Sequence, residues 1–141
     1  MSSFARSAFP FAAGLFVACG LVQVFLAGLG VFDRGAGFNG HRNFGYLFGW
    51  LTLVMLVLAL AGRLGRTLVG LSALLIVMFA LQSVFVVLRA DLPQVAALHP
   101  VNGFGLIIVG IVTTRVSWAL RGAASRAKPV AAPDSLPAEA S

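Results

Sequence analysis

The sequence predicts an all-α fold: an integral membrane four-helix bundle built as two hairpins related by a pseudo-two-fold axis, both termini cytoplasmic. Three observations predict it. Sixty per cent of the 141 residues are apolar and only ten per cent are charged, whereas a soluble domain carries about 25% charged residues. The apolar residues gather into four runs, each near the roughly 20 residues that a helix needs to cross a bilayer core of about 30 Å. No run shows the alternation of a membrane barrel, and only helices or closed barrels satisfy their backbone polar groups in lipid. The mean hydropathy of +0.99 excludes an ordinary soluble enzyme and a disordered chain. The lone Cys19 excludes a disulfide scaffold.

The first span is expected over about residues 8–31. Ser7 suits its cap, and Pro10 falls in the first turn, where proline is tolerated. Phe16-Val17-Ala18-Cys19 loosely resembles a lipoprotein cleavage site, but the apolar run continues for twelve residues past Cys19, so the segment reads as a retained span. The second span covers about residues 40–62, with its apolar part starting at Phe44. Gly62, Arg63, Gly65 and Arg66 then make a tight polar connection. The third span covers about residues 67–88, and Asp91 and Pro93 break the chain after it. The fourth covers about residues 100–120. Pro100 suits its first turn and biases His99 away from helical angles. Residues 122–141, rich in Ala, Pro and Ser, read as a disordered cytoplasmic tail.

Charge orients the spans. The N-terminus, the second connection and the C-terminal end carry Arg6, Arg63, Arg66, Arg115, Arg121, Arg126 and Lys128. The other two connections carry Arg34, Arg42 and Arg89, offset by Asp33 and Asp91. Seven basic residues against three place both termini in the cytoplasm of a multi-pass plasma (inner) membrane protein. The net charge of +6 forms no basic stripe with interleaved aromatics, so nucleic acid is not an expected partner.

The two hairpins share a pattern. Gln23, His41 and Gly45 in the first correspond to Gln82, His99 and Gly103 in the second. Glutamine and histidine are 18 and 17 positions apart, histidine and glycine four in both, and these are the only histidines. Both hairpins start on the same side, so the axis lies along the membrane normal. His41 and His99 are expected at one depth, at the outer rim. Gly45 and Gly103 follow one turn below, and Gly49 extends the stripe. Gln23 and Gln82 are expected roughly 10–15 Å below the rim, at about 1.5 Å per residue.

Two histidines on facing helices of a bundle are a way to hold haem, and histidine is a common axial ligand of haem iron. The expected cofactor is one haem b with His41 and His99 as axial ligands. Gly45, Gly49 and Gly103 would pack the macrocycle, and Arg34, Arg42 and Arg89 would meet the propionates. Gln23 and Gln82 would stand behind the ligands, and Asn43 or Asn102 would hold an imidazole's other nitrogen. Phe44, Tyr46, Trp50, Phe85 and Phe104 would supply an aromatic wall. Each residue also has a plainer reading. The histidines suit an interfacial cap, the glycines a helix contact, the glutamines a bond between helices, and the arginines lipid headgroups.

No span carries a carboxylate pair, a nucleophile with its base, or a central charge, so a catalyst or ion pump is not expected. Three roles remain. One is a single-haem b-type cytochrome meeting quinol or an outer-face redox partner. Another is a cofactor-free accessory subunit of a larger membrane complex or a homo-dimer. The third is a bundle that binds quinone or lipid.

Residues 23–32, 41–50, 81–82 and 98–105 resemble an uncharacterised family of small four-helix bacterial membrane proteins. The layout is also similar to one half of haem A synthase, whose twin four-helix bundles place histidine ligands near the outer ends of the second and fourth helices. That resemblance implies ligand roles for His41 and His99. The synthase usually carries an acidic residue one turn before the first of these histidines. Here Gly37 and Phe38 stand in that place, and no Glu precedes Glu139, so oxidation of a haem methyl is not implied.

Overall fold

The computed structural model describes residues 2–33 and 38–126. Four long helices and one short one account for nearly all of them: α1 (Ser2–Phe32), α2 (Phe38–Ala61), α3 (Arg66–Val87), α4 (Pro93–Ala96) and α5 (Leu98–Arg126). All four long helices are long and apolar enough to cross a membrane.

The helix ends differ from expectation in three places. α1 begins at Ser2, so Ser7 is not its cap and Pro10 lies inside the helix. Proline has no N–H to give to the carbonyl one turn back, but its ring is fully buried against neighbouring helices. Packing there outweighs the lost bond. His99 is helical, because α5 starts one residue earlier at Leu98. Pro100 is then the third helical residue, still within the turn whose N–H groups lack helical partners. Finally, α5 runs through residues 122–126 to Arg126, whose cation in the last turn complements the helix dipole. The rest of the expected tail, residues 127–141, lies outside the described residues.

The α2–α3 connection is as tight as its glycines suggest. Gly62 N–H donates to Leu58 O, and Leu64 N–H donates to Ala59 O, which closes α2 with a left-handed residue. That residue is Arg63 (φ 50°), and Gly65 (φ 87°) makes the second reversal before α3. Arg6 Nε donates to Gly62 O at 2.7 Å and ties α1 to this turn.

The helices form a square. α1 and α3 each pack against both α2 and α5, so α2 and α5 occupy one diagonal and α1 and α3 the other. The buried positions repeat with the hairpins. On α2 they are Phe48, Thr52, Met55 and Ala59. On α5 they are Leu106, Gly110, Thr113 and Ser117, each 58 positions later. On α1, Phe9, Ala13 and Phe16 are buried, and Leu68, Ser72 and Leu75 on α3 follow each 59 positions later. The fold is two copies of one hairpin register around a common axis.

Bulk is traded between the copies. Gly49 on α2 receives the Phe79 ring from α3, and a methyl group there would stand 2.5 Å from it. The corresponding contact pairs Gly20 on α1 with Ile107 on α5. The buried hydroxyls of Thr52, Ser72, Thr113 and Ser117 each donate to a carbonyl of their own helix, which satisfies them without a partner across the core.

The exterior is apolar. Phe25, Trp50, Val57 and Ile108 are all more than 60% exposed. A surface of this kind is far larger than the apolar patches soluble monomers tolerate. At the end of the bundle where the chain begins, Trp118 and Phe11 meet edge to face at 5.2 Å, with the Arg121 guanidinium 5.3 and 5.7 Å from the two ring centres. That is the amphipathic chemistry of a membrane–water interface. These are the features of a multi-pass membrane protein.

Gly49→Ala should overpack the Phe79 contact and cost about 1–3 kcal/mol. Thermal unfolding in detergent should register the loss, and adding Phe79→Leu should recover part of it.

Candidate functional site

The repeated Gln–His–Gly pattern meets at one end of the bundle. His41 Nδ1 lies 3.1 Å from Gln23 O, and His99 Nδ1 lies 3.2 Å from Gln82 O. A carbonyl only accepts, so in both bonds Nδ1 carries the proton. Nε2 is then the nitrogen of each ring not committed to that carbonyl. α2 and α5 are diagonal, yet their two imidazoles meet across the axis with ring centres 6.0 Å apart and planes at 68°.

The glycines serve the glutamines. A methyl group at Gly45 would stand 2.7 Å from Gln23 Nε2, and one at Gly103 would stand 3.1 Å from Gln82 Nε2. Each amide lies over a bare backbone one turn below the histidine. Gly49 is covered by the Phe79 ring. The seats expected for a flat ligand are filled by side chains of the protein itself.

The two halves differ in one respect. Asn102 Nδ2 donates to Met78 O at 2.8 Å and to Gln82 Oε1 at 3.0 Å. Asn102 lies three residues after His99, and the residue three after His41 is Phe44. Phe44 has no side-chain donor, and Gln23 Oε1 is buried without a partner among the described residues. One copy of the site is braced, and the other holds an orphaned acceptor.

The remaining sequence candidates fall as follows. Gln23 and Gln82 are level with the histidines they bind, not 10–15 Å below them. The helix tips are not flush with the histidines: α1 runs nine residues past Gln23 to Phe32, and α3 five past Gln82 to Val87. Asn102 braces Gln82 and does not hold an imidazole, and Asn43 is exposed. Backbone carbonyls do the work expected of the asparagines, because His41 on α2 reaches α1 and His99 on α5 reaches α3. The nearly equal Gln–His separations, 18 and 17 positions, were the available signal. Arg42 Nη2 donates to Asn39 Oδ1 and Arg89 Nη1 to Val86 O, both exposed contacts. Arg34 lies outside the described residues. Tyr46, Trp50 and Phe104 point outward, at 67, 67 and 59% exposure. Phe44 stacks on Phe48. Phe38, which sequence reasoning missed as a wall residue, sets its ring edge to face with His41 at 6.4 Å. Among the described residues there is no cluster of three or more His, Cys, Asp or Glu that could hold a metal ion.

Residues 23–91 match a family of unknown function (DUF6220). With its four apolar helices, the chain fits an uncharacterised family of small membrane-type proteins. The match spans Gln23, His41, Gly45 and Gln82 and stops short of His99. No curated protein and no solved structure matches the chain.

Gln23→Met and Gln82→Met should behave differently. The first removes an acceptor that has no partner and should be neutral or stabilising. The second strands half of Asn102's bonding and should cost about 1–2 kcal/mol. Paired thermal melts in one detergent would measure the difference.

Proposed function

We propose that this protein is a single-haem b-type membrane cytochrome, holding haem between His41 and His99 near the outer face of the bacterial plasma (inner) membrane for electron transfer or haem handling. The observation that carries the reading is the imidazole pair on diagonal helices. A metal–imidazole bond is about 2 Å and the ring centre lies about 1 Å beyond the nitrogen, so two imidazoles on one metal stand about 6 Å apart. The observed 6.0 Å fits that donor set. The carbonyls of Gln23 and Gln82 hold both rings through Nδ1, as partners of metal-bound histidines do.

Haem with two histidine ligands supplies one-electron transfer and leaves no open position for oxygen chemistry. The chain's own part is to hold both rings and to meet the propionates. Arg42 and Arg89 each spend one N–H on a local acceptor and keep the rest of their five donors; Arg34 belongs to the same end by sequence. Gly45, Gly103 and Gly49 would admit a macrocycle only by displacement of Gln23, Gln82 and Phe79, so the reading rests on the histidines. With both termini cytoplasmic, as the basic residues favour, the natural electron partners are quinol in the bilayer or a redox protein at the outer face.

The filled glycine seats favour a second reading, a cofactor-free accessory subunit of a larger membrane complex or a homo-dimer. There the paired histidines and glutamines would only join helices.

A reduced-minus-oxidised visible spectrum of protein purified from haem-replete cells should give sharp alpha and Soret bands at near one haem per chain. His41→Ala and His99→Ala should each lose that spectrum and still insert. Colourless wild-type protein, or full pigment in both variants, would refute the cytochrome reading. The first of these would leave the accessory-subunit reading in place.

A further inference from the structure

The end of the bundle opposite the histidines carries a second feature, independent of any cofactor. Between α2 and α3, where the chain turns, an open groove of about 320 Å³ is walled by Ala59, Leu60, Leu64 and Val69 and flanked by Arg63 and Arg66. Its walls are apolar, and its only charges are the two guanidiniums at the turn. Both arginines are exposed. Neither side chain has a hydrogen-bond or ion-pair partner among the described residues. The described carboxylates, Asp33 and Asp91, belong to the connections at the opposite end.

Arg63 is also the one non-glycine residue among those described with a positive φ. That conformation is unfavourable for a side chain bearing Cβ, and glycines stand at 62 and 65 where the chain turns. A strained residue that persists beside easier choices marks a position where the side chain itself has a task. The level is right for a lipid headgroup. Trp118 and Phe11 enclose Arg121 at this same end on the far side of the bundle, and aromatic–cation clusters of this kind sit at the membrane–water boundary.

We propose that this groove seats one anionic phospholipid of the adjoining leaflet. An acyl chain lies along Ala59, Leu60, Leu64 and Val69, and the phosphate is held between the Arg63 and Arg66 guanidiniums. Guanidinium suits the task because its forked donors match phosphate oxygens. Gly65 provides no side-chain cap to α3, so the free N–H groups of its first turn add to the positive field at the same place. A zwitterionic lipid offers the same chain but carries its own cation, which leaves the two arginines without net attraction.

Native mass spectrometry of the full chain in detergent, with phosphatidylglycerol or phosphatidylcholine of identical acyl chains added, tests this. Wild-type protein should retain one phosphatidylglycerol in preference to phosphatidylcholine. The double variant Arg63→Gly, Arg66→Gln should weaken that retention roughly thirty-fold, as expected for the loss of two cations at a membrane surface. Arg63→Gly relieves the backbone strain, so its melting temperature should not fall, which separates lost binding from lost fold. Arg126→Gln removes a charge from the same end on α5 and should leave retention unchanged. Equal retention of the two lipids by wild type would overturn the proposal, as would undiminished retention in the double variant. An equal loss with Arg126→Gln would reduce the effect to bulk charge, and displacement by millimolar inorganic phosphate would make it a free-anion site. Either result also overturns the proposal.

Discussion

Everything in this molecule follows from the need to satisfy the backbone without water. A chain with so apolar an exterior cannot leave N–H and C=O groups unpaired, so each long segment closes its own ladder as a helix. The few buried hydroxyls obey the same rule. Thr52, Ser72, Thr113 and Ser117 turn back onto carbonyls of their own helices and demand nothing from the core. Helix contact is then left to shape. Glycine against phenylalanine and glycine against isoleucine do on two sides of the bundle what matched apolar side chains do in a soluble core.

A repeated hairpin register orders the bundle, and its imperfection sets the two halves of the site apart. The buried registers of α2 and α5 superpose at one constant offset, and those of α1 and α3 at another that is one residue longer. The same one-residue difference separates the two glutamine–histidine spacings. Two equivalent helices on a diagonal must bring equivalent residues to the axis, which is why the imidazoles meet there. The symmetry breaks at Asn102 and Phe44. One glutamine is locked by a side-chain donor, and the other keeps a buried acceptor with no partner among the described residues.

The imidazole–carbonyl bonds also limit what the site can be. They place a proton on Nδ1 of both rings, whose centres stand 6.0 Å apart on opposite helices. Around them the surface is hydrocarbon, and Arg42 and Arg89 make local bonds. At the other end of the bundle, one arginine lies against two aromatic rings, and two stand beside an apolar groove without a partner among the described residues.

Read alone, the sequence determined the fold class, the four helices, the tight turn at Gly62–Gly65 and the pairing of the two histidines. These follow from composition, run length and a repeated spacing, all of which are local or periodic quantities. It left the partners of the histidines undecided. Asn43 and Asn102 were natural candidates by proximity in the chain, but the bonds go to Gln23 and Gln82 carbonyls on α1 and α3. Backbone carbonyls leave no trace in residue type. The helix ends were misjudged at Ser7, Pro10 and His99 for a related reason: burial of Pro10 and the start at Leu98 outweigh local preference. Tertiary structure alone decided that Gly45 and Gly103 receive glutamine amides, that Tyr46, Trp50 and Phe104 face outward, and that Gln23 keeps an unpaired oxygen. Such contacts depend on how one helix is rotated against the next, and no single helix carries that information.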